Sequence, residues 1–129
     1  MQRTNIPAGG KWDGIIGYSR AVRIGNTLEI SGTTATNPEG QVEGVGDVYR
    51  QTQYILERFK SILDGAGFKL EHTVRTRMFI TDISQWEKVG RAHGEFFGTI
   101  RPATTMVEVS KLIDPEHMIE IELTAVLSE

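Results

Sequence analysis

Two glutamates, Glu120 and Glu122, stand two residues apart in an alternating run late in the chain, and two arginines, Arg75 and Arg77, stand in another. Residues two apart on a strand share a face. The glutamates can therefore do general acid–base work together, or they can answer the arginines across a sheet. Spacing leaves both readings open. Other chemical signatures are weaker. His72, His93 and His117 are far apart with no partner one helical turn away, so no preformed metal centre is expected. His93 falls on the apolar stripe of a predicted helix, where a packed, hydrogen-bonded ring is the expectation. Gly9-Gly10-Lys11 resembles the tail of a phosphate loop, but Asn5 occupies the upstream glycine position and Trp12 follows the lysine. No Gly-x-Ser-x-Gly elbow is present. The chain has no cysteine, which excludes disulfides and thiolate metal sites.

The elements that must position these groups can be read from periodicity. Residues 1–17, rich in glycine, read as a loop-rich arm with room for one short edge strand. Tyr18 to Ile24 and Thr27 to Thr33 flank Gly25-Asn26, a two-residue hairpin signal. Ala35 to Gly46 reads as a loop. From Asp47 the period changes: Val48, Thr52, Ile55, Phe59 and Ile62 mark one face of a helix that Asp64-Gly65-Ala66-Gly67 ends. His72 to Thr81 alternates, with Val74, Thr76, Met78 and Ile80 on one face. Ser84-Gln85-Trp86-Glu87 reads as a capping box for a second helix, with Trp86, Val89, His93, Phe96 and Phe97 as its apolar stripe. Strands over Ala103 to Ser110 and Met118 to Leu127 follow, joined by a loop with Asp114-Pro115.

The order β-β-α-β-α-β-β predicts an α+β two-layer sandwich, a mixed sheet with both helices on one face. Leu28, Ile30, Met78, Ile80, Ile119, Ile121 and Leu123 should face the helices. Glu29, Ser31, Arg75, Arg77, Glu120 and Glu122, with Glu108 possible among them, should line the opposite face. That polar face is either wet, as in many open antiparallel sheets, or a subunit interface with paired charges.

The chain of 129 residues is sized for one domain spanning 1–129, able to bury a core without staples. Lys+Arg 14 against Asp+Glu 17 gives a net charge of −3, which implies no polyanionic partner and no membrane surface. No run approaches the ~20 apolar residues of a membrane span. Met1 to Asn5 lead into no apolar signal core, so a cytoplasmic protein is expected.

Several segments together resemble one family. They are Ile16-Gly17-Tyr18-Ser19-Arg20-Ala21-Val22, Gly25-Asn26-Thr27-Leu28-Glu29-Ile30-Ser31-Gly32, Phe96-Phe97, Arg101-Pro102-Ala103-Thr104-Thr105-Met106-Val107-Glu108-Val109 and Ile119-Glu120-Ile121-Glu122. In this order and spacing the chain resembles the YjgF/Rid family, reactive-intermediate deaminases also known as endoribonuclease L-PSP or translation-inhibitor proteins. The resemblance implies a chorismate-mutase-like fold, a homotrimer built on the polar sheet faces, and clefts between subunits that take a small molecule without cofactor or metal. It implies hydrolysis of enamines and imines to a carbonyl compound and ammonia. Tyr18 then matches the cleft tyrosine, Ser31 the serine of the Ser-Gly motif, Glu120 the water-positioning glutamate, and the backbone around Met106 the loop facing the substrate.

One position departs from the pattern. The family's carboxylate-binding arginine follows Pro-Ala directly, and here that residue is Thr104. A hydroxyl cannot replace a bidentate guanidinium. Arg101 stands three residues earlier and can substitute only if the chain turns sharply there. Three functions follow: a hydrolase for small imines or enamines, a non-catalytic small-molecule-binding trimer, or the ribonuclease of the older family name. Net charge and the lack of an aromatic-basic strand weigh against RNA binding.

Overall fold

The computed structural model describes residues 1–128. Six strands form one sheet in the order β1-β2-β3-β6-β4-β5. They are β1 (Arg3–Ile6), β2 (Ala21–Ile24), β3 (Thr27–Thr33), β4 (Thr73–Ile80), β5 (Ala103–Glu108) and β6 (Ile119–Val126), with helices α1 (Val48–Gly65) and α2 (Trp86–Phe97). β4 and β5 run parallel and every other neighbouring pair runs antiparallel, so the sheet is mixed. The predicted α+β sandwich is the fold observed, with β1 as the added edge strand. Among the described residues no helix is long and apolar enough to cross a membrane.

Each helix forms for a local reason. The Asp47 carboxylate accepts from the Arg50 backbone N–H and caps α1. The buried stripe of α1 includes Val48, Thr52, Ile55 and Phe59, as the spacing predicted, and adds Leu56 and Leu63. The hairpin turn follows from Gly25, whose φ of 57° a residue with a Cβ adopts at a cost. Leu28, Ile30, Met78, Ile80, Ile119, Ile121 and Leu123 are all at most 3% exposed and form the core with α1 and with Val89 and Phe97 of α2.

Four expectations need correction. Val74 is 45% exposed, because a bulge between Thr73 and Arg75 turns Thr73 into the core in its place. Glu108 is not on the charged face: it pairs with Ile80 in the parallel register and accepts from the Ile83 backbone N–H at 3.0 Å. No Ser84 box caps α2: the Asp82 carboxylate accepts from the Ser84 N–H and hydroxyl at 3.1 and 2.7 Å and caps the short 3-10 turn Ile83–Gln85 that leads into the helix. Trp86 is 55% exposed. As the first residue of α2 it points back past the helix end, beyond the layer it was expected to join.

Gln51 is fully buried on α1 and was not expected in the core. Its amide donates to the Gly44 and Glu116 carbonyls at 3.2 and 2.9 Å and accepts from the Met118 N–H at 2.8 Å. It thereby ties α1 to the chain just ahead of β6. Gln51→Leu, close in size, strands those backbone groups. Each buried group left without a partner costs about 1–3 kcal/mol. Urea unfolding is expected to show a loss in that range or above, against less than ~0.5 kcal/mol for a substitution at the exposed Lys60.

Candidate functional site

The polar face of the sheet is organised by a bulge in β3. Ile30 pairs with Leu123, but Thr33 pairs with Ile121, so β3 holds one extra residue against β6. Ile30 and Thr33 both face the core although three residues separate them, and Ser31-Gly32 form the bulge between. Glu120 packs against that bulge. A Cβ built on Gly32 would lie 2.6 Å from Glu120 Oε2, so only glycine admits the carboxylate there. The glutamate faces away from the core, opposite Phe79 of β4 in the ladder.

Ser31 and Arg20 lock the segment before β2 onto the same bulge. The Ser31 hydroxyl donates to the Ser19 carbonyl at 2.6 Å, and the Ser31 N–H donates to the Arg20 carbonyl at 3.0 Å. Arg20 Nη2 donates to the Gly32 carbonyl at 2.6 Å, and its guanidinium carbon lies 5.7 Å from the Tyr18 ring centre. From α1, Arg58 Nη1 reaches the Thr34 carbonyl at 2.6 Å, at the end of the same strand. Tyr18, Ser31 and Glu120 are thus brought together around Arg20. Arg20 and Arg58 were not singled out from the sequence. Arg20 did lie inside the Tyr18-Ser19-Arg20 segment, whereas Arg58 carries no signal beyond an arginine on an amphipathic helix.

Burial sets the electrostatics here. It raises the Glu120 pKa above the ordinary glutamate value of 4.5, with the Arg20 charge pulling it down and Glu122 pushing it up. Burial also lowers the Arg20 pKa, against the opposing pull of Tyr18, Glu120 and Asp13. Arg58 is lowered by burial and by the charge of Arg20. Among the described residues neither arginine is in an ion pair. The pairs present are Arg50–Glu57 at 3.3 Å and Arg77–Glu122 at 3.7 Å. The second is the expected cross-strand pairing, made by Glu122 and not by Glu120. Arg75 instead donates to the Thr105 hydroxyl at 2.9 Å.

The remaining candidates lie elsewhere in the protomer. Thr104 pairs with Thr76 in the parallel register and so shares the helix-facing side, opposite to Glu120. Its hydroxyl meets Thr76 Oγ1 at 2.8 Å, and Thr76 Oγ1 meets His93 Nε2 at 2.9 Å. His93 is therefore the packed, hydrogen-bonded ring expected, tilted against Phe97 at 4.7 Å and lowered in pKa by burial. Met106 is part-buried on the same side of β5. Arg101 does sit in a sharp turn, with a φ of 54°, but its Nε donates to the Gly98 carbonyl at 3.1 Å beside the C-terminal end of α2. The structure therefore does not bring Thr104, Met106 and Arg101 to Glu120 within one chain. The Gly9-Gly10-Lys11 loop is spoken for: Asp13 Oδ2 takes the Ala8 and Gly9 N–H groups at 3.0 and 3.2 Å. Among the described residues no three or more histidines and carboxylates converge as a metal site.

Comparison with known proteins places these features in context. The protein-family model described as Endoribonuclease L-PSP matches residues 11–127. The chain is similar to a crystal structure from Mycobacterium tuberculosis, Rv2704, a member of the YjgF/YER057c/UK114 family. It shares 42% identity with that structure over 98% of this chain and 100% of that one, with a TM-score of 0.87. It is similar to the YjgF gene product of E. coli at 32% identity, over 95% and 93% of the two chains, with a TM-score of 0.78. It is also 32% identical to the 3-aminoacrylate deaminase RutC of Acinetobacter baylyi, over 84% of this chain and 85% of that protein.

Two variants probe the Glu120 environment. A carboxylate whose folded-state pKa is raised holds its proton more tightly in the folded protein than in the unfolded one. Its ionisation therefore costs stability once pH rises past the unfolded value near 4.5, and costs nothing well below it. Glu120→Gln is expected to raise the thermal midpoint at neutral pH and to leave it unchanged in acid. Gly32→Ala must displace a flexible carboxylate and not backbone, so its stability cost should stay below ~1 kcal/mol. The Glu120 side-chain carbon resonance should nonetheless move, as NMR would record.

Proposed function

The chain belongs to the endoribonuclease L-PSP family, the YjgF/Rid proteins, and from that premise we propose that it hydrolyses small reactive imines and enamines to a carbonyl compound and ammonia. The observation that carries this reading is the Glu120 carboxylate, held over the Gly32 backbone and raised in pKa by burial. A carboxylate whose pKa is raised holds a proton more readily than an ordinary glutamate, which suits a group that must take a proton and give it back.

The chemistry needs one water and one shuttling proton. The enamine first shifts to its imine tautomer. The imine nitrogen takes a proton from solvent. Water oxygen then bonds to the iminium carbon while Glu120 takes a proton from the water, and the C=N electron pair moves onto nitrogen to leave a neutral amine. In the resulting carbinolamine, protonated Glu120 returns its proton to the nitrogen. The C–N bond breaks as the hydroxyl oxygen forms the carbonyl and releases its proton, and ammonia leaves. Ser31 and Arg20 fix the backbone against which Glu120 rests, and Tyr18 walls the site. The RutC relative, a 3-aminoacrylate deaminase by its name, is in keeping with this class of substrate.

Assembly belongs to the same reading. Glu120 and Thr104 lie on opposite sides of the sheet, so a cleft that holds both is made between protomers of a homotrimer, one giving the Glu120 side and the next the β5 edge with Thr104 and Met106. The charged face with Arg77 and Glu122, their side chains 48% and 42% exposed in the protomer, is the surface proposed to close that trimer. A second reading, a binding trimer without catalysis, is favoured by Thr104, whose hydroxyl is already engaged by Thr76 and by the Pro102 carbonyl. The ribonuclease of the family description finds no support in a net charge of −3.

Purified protein should scatter light as a trimer, and Arg77→Ala should shift that mass toward the monomer. Given an enzymatically generated aminoacrylate, the wild type should speed ammonia release, and Glu120→Gln should lower kcat by about 10²–10⁴-fold. An unchanged kcat in a folded Glu120→Gln trimer removes Glu120 from the chemistry. No acceleration by the wild type leaves the binding reading.

A further inference from the structure

We infer that Arg20 and Arg58 together form an anion subsite beside Glu120 that grips the carboxylate of a small 2-imino or 2-oxo acid, in place of the guanidinium missing at Thr104. The inference rests on the proposed hydrolysis for its substrate class and on independent geometry for its location.

A buried arginine normally has a carboxylate against it, because desolvating an unpaired charge is costly. Here two part-buried guanidiniums converge on the end of β3, one from the segment before β2 and one from α1. Each makes a single hydrogen bond among the described residues, to the Gly32 carbonyl near the end of β3 and to the Thr34 carbonyl just past it. Among the described residues the buried Arg20 Nε–H has no acceptor. A guanidinium has further donors to spare, arranged as a fork that suits a carboxylate. Neither cation has a carboxylate oxygen within ion-pair distance among the described residues.

The charge balance points the same way. Glu120 and Asp13 are the carboxylates whose charge reaches Arg20, whereas Arg58 feels the repulsion of Arg20 and no carboxylate that offsets it. His117, whose pKa burial and the Arg58 charge lower, bonds Thr36 Oγ1 at 2.8 Å and offers no negative charge to Arg58. Among the described residues Arg58 therefore stands without a carboxylate against it. Stability does not account for such an arrangement, since hydrophobic residues in both places would cost less to bury. A monocarboxylate supplies the missing charge and an acceptor for the idle donors. It also sets the adjoining imine carbon beside Glu120, where the water must add. Thr104 is then dispensable for the grip, which explains how the family's arginine can be absent without loss of the substrate class.

The test reads binding apart from turnover, with pyruvate as the probe and its uncharged methyl ester as the control. By calorimetry the wild-type trimer should bind pyruvate at least tenfold more tightly than the ester. Arg58→Gln should weaken pyruvate about ten- to a hundredfold while leaving the ester unchanged, and Arg58→Lys should recover only part of the loss. In the wild type, the side-chain ¹⁵Nε signals of Arg20 and Arg58 should both move on adding pyruvate, a measurement that stands even if a variant fails to fold. Equal affinity for acid and ester, or still arginine signals, overturns the subsite. An Arg58→Gln protein that loses its trimer mass but keeps its pyruvate affinity also overturns it, by showing that a carboxylate of a neighbouring protomer is the partner. Hydrolysis of an aminoacrylate with unchanged KM in Arg58→Gln removes the subsite and leaves the hydrolase reading standing. Charge-dependent pyruvate binding without any hydrolysis removes the hydrolase reading and leaves the subsite.

Discussion

β6 carries the constraint on which the rest of the molecule depends. It has a hydrogen-bonded strand on each side, β3 and β4, and a helix across one face. Ile119, Ile121, Leu123 and Ala125 are at most 1% exposed, and Glu120, Glu122 and Thr124 alternate with them on the other side. A slip of one residue would drive both glutamates into the core and expel four apolar side chains. That register is therefore fixed by burial, and it fixes much else. It sets Glu122 across from Arg77 and Glu120 across from Phe79. It also forces the extra residue of β3 to be absorbed at Ser31-Gly32, the one place where a missing Cβ lets the Glu120 carboxylate lie against the backbone.

Around that carboxylate the protein accepts unfavourable electrostatics. Burial raises Glu120 and lowers both nearby arginines, and no close pair offsets the three desolvated charges. Elsewhere the charges behave differently: Arg77–Glu122 and Arg50–Glu57 are half-exposed pairs of the kind worth little. The apolar core of β3, β4, β6 and α1 is what allows the strain to persist. Perturbed groups gathered at one strand end, beside a bulge, are the observation on which the proposed site rests.

Much of this arrangement was legible from one chain. The helix face of Val48, Thr52, Ile55 and Phe59 and the alternation of β4 and β6 are periodic signals, and burial enforces periodicity. The side of the sheet that holds Glu120 followed from the same alternation. The misses share a cause. Val74 and Glu108 were placed by extending a local rhythm, and a bulge in β4 and the register of a parallel neighbour reset it. Trp86 and the cap of α2 turned on where a helix begins, which a few hydrogen bonds around Asp82 decide. Gln51 carries no apolar signal, and its burial follows from three backbone groups, one just ahead of α1 and two just ahead of β6, that its amide satisfies.

The amino-acid sequence by itself determined the α+β layering, the core and the acid–base candidacy of Glu120, because patterning is a local property of the chain, and its resemblance to the family pointed to Tyr18 and Ser31. The tertiary structure alone decided that Thr104 joins Thr76 and His93 on the helix side of the sheet, away from Glu120. It alone brought Arg58, thirty-eight positions from Arg20 along the chain, to the same strand end. Such convergence depends on how a helix crosses a sheet and where a bulge shifts its register, and those are long-range packing outcomes that leave no periodic trace in the residues themselves.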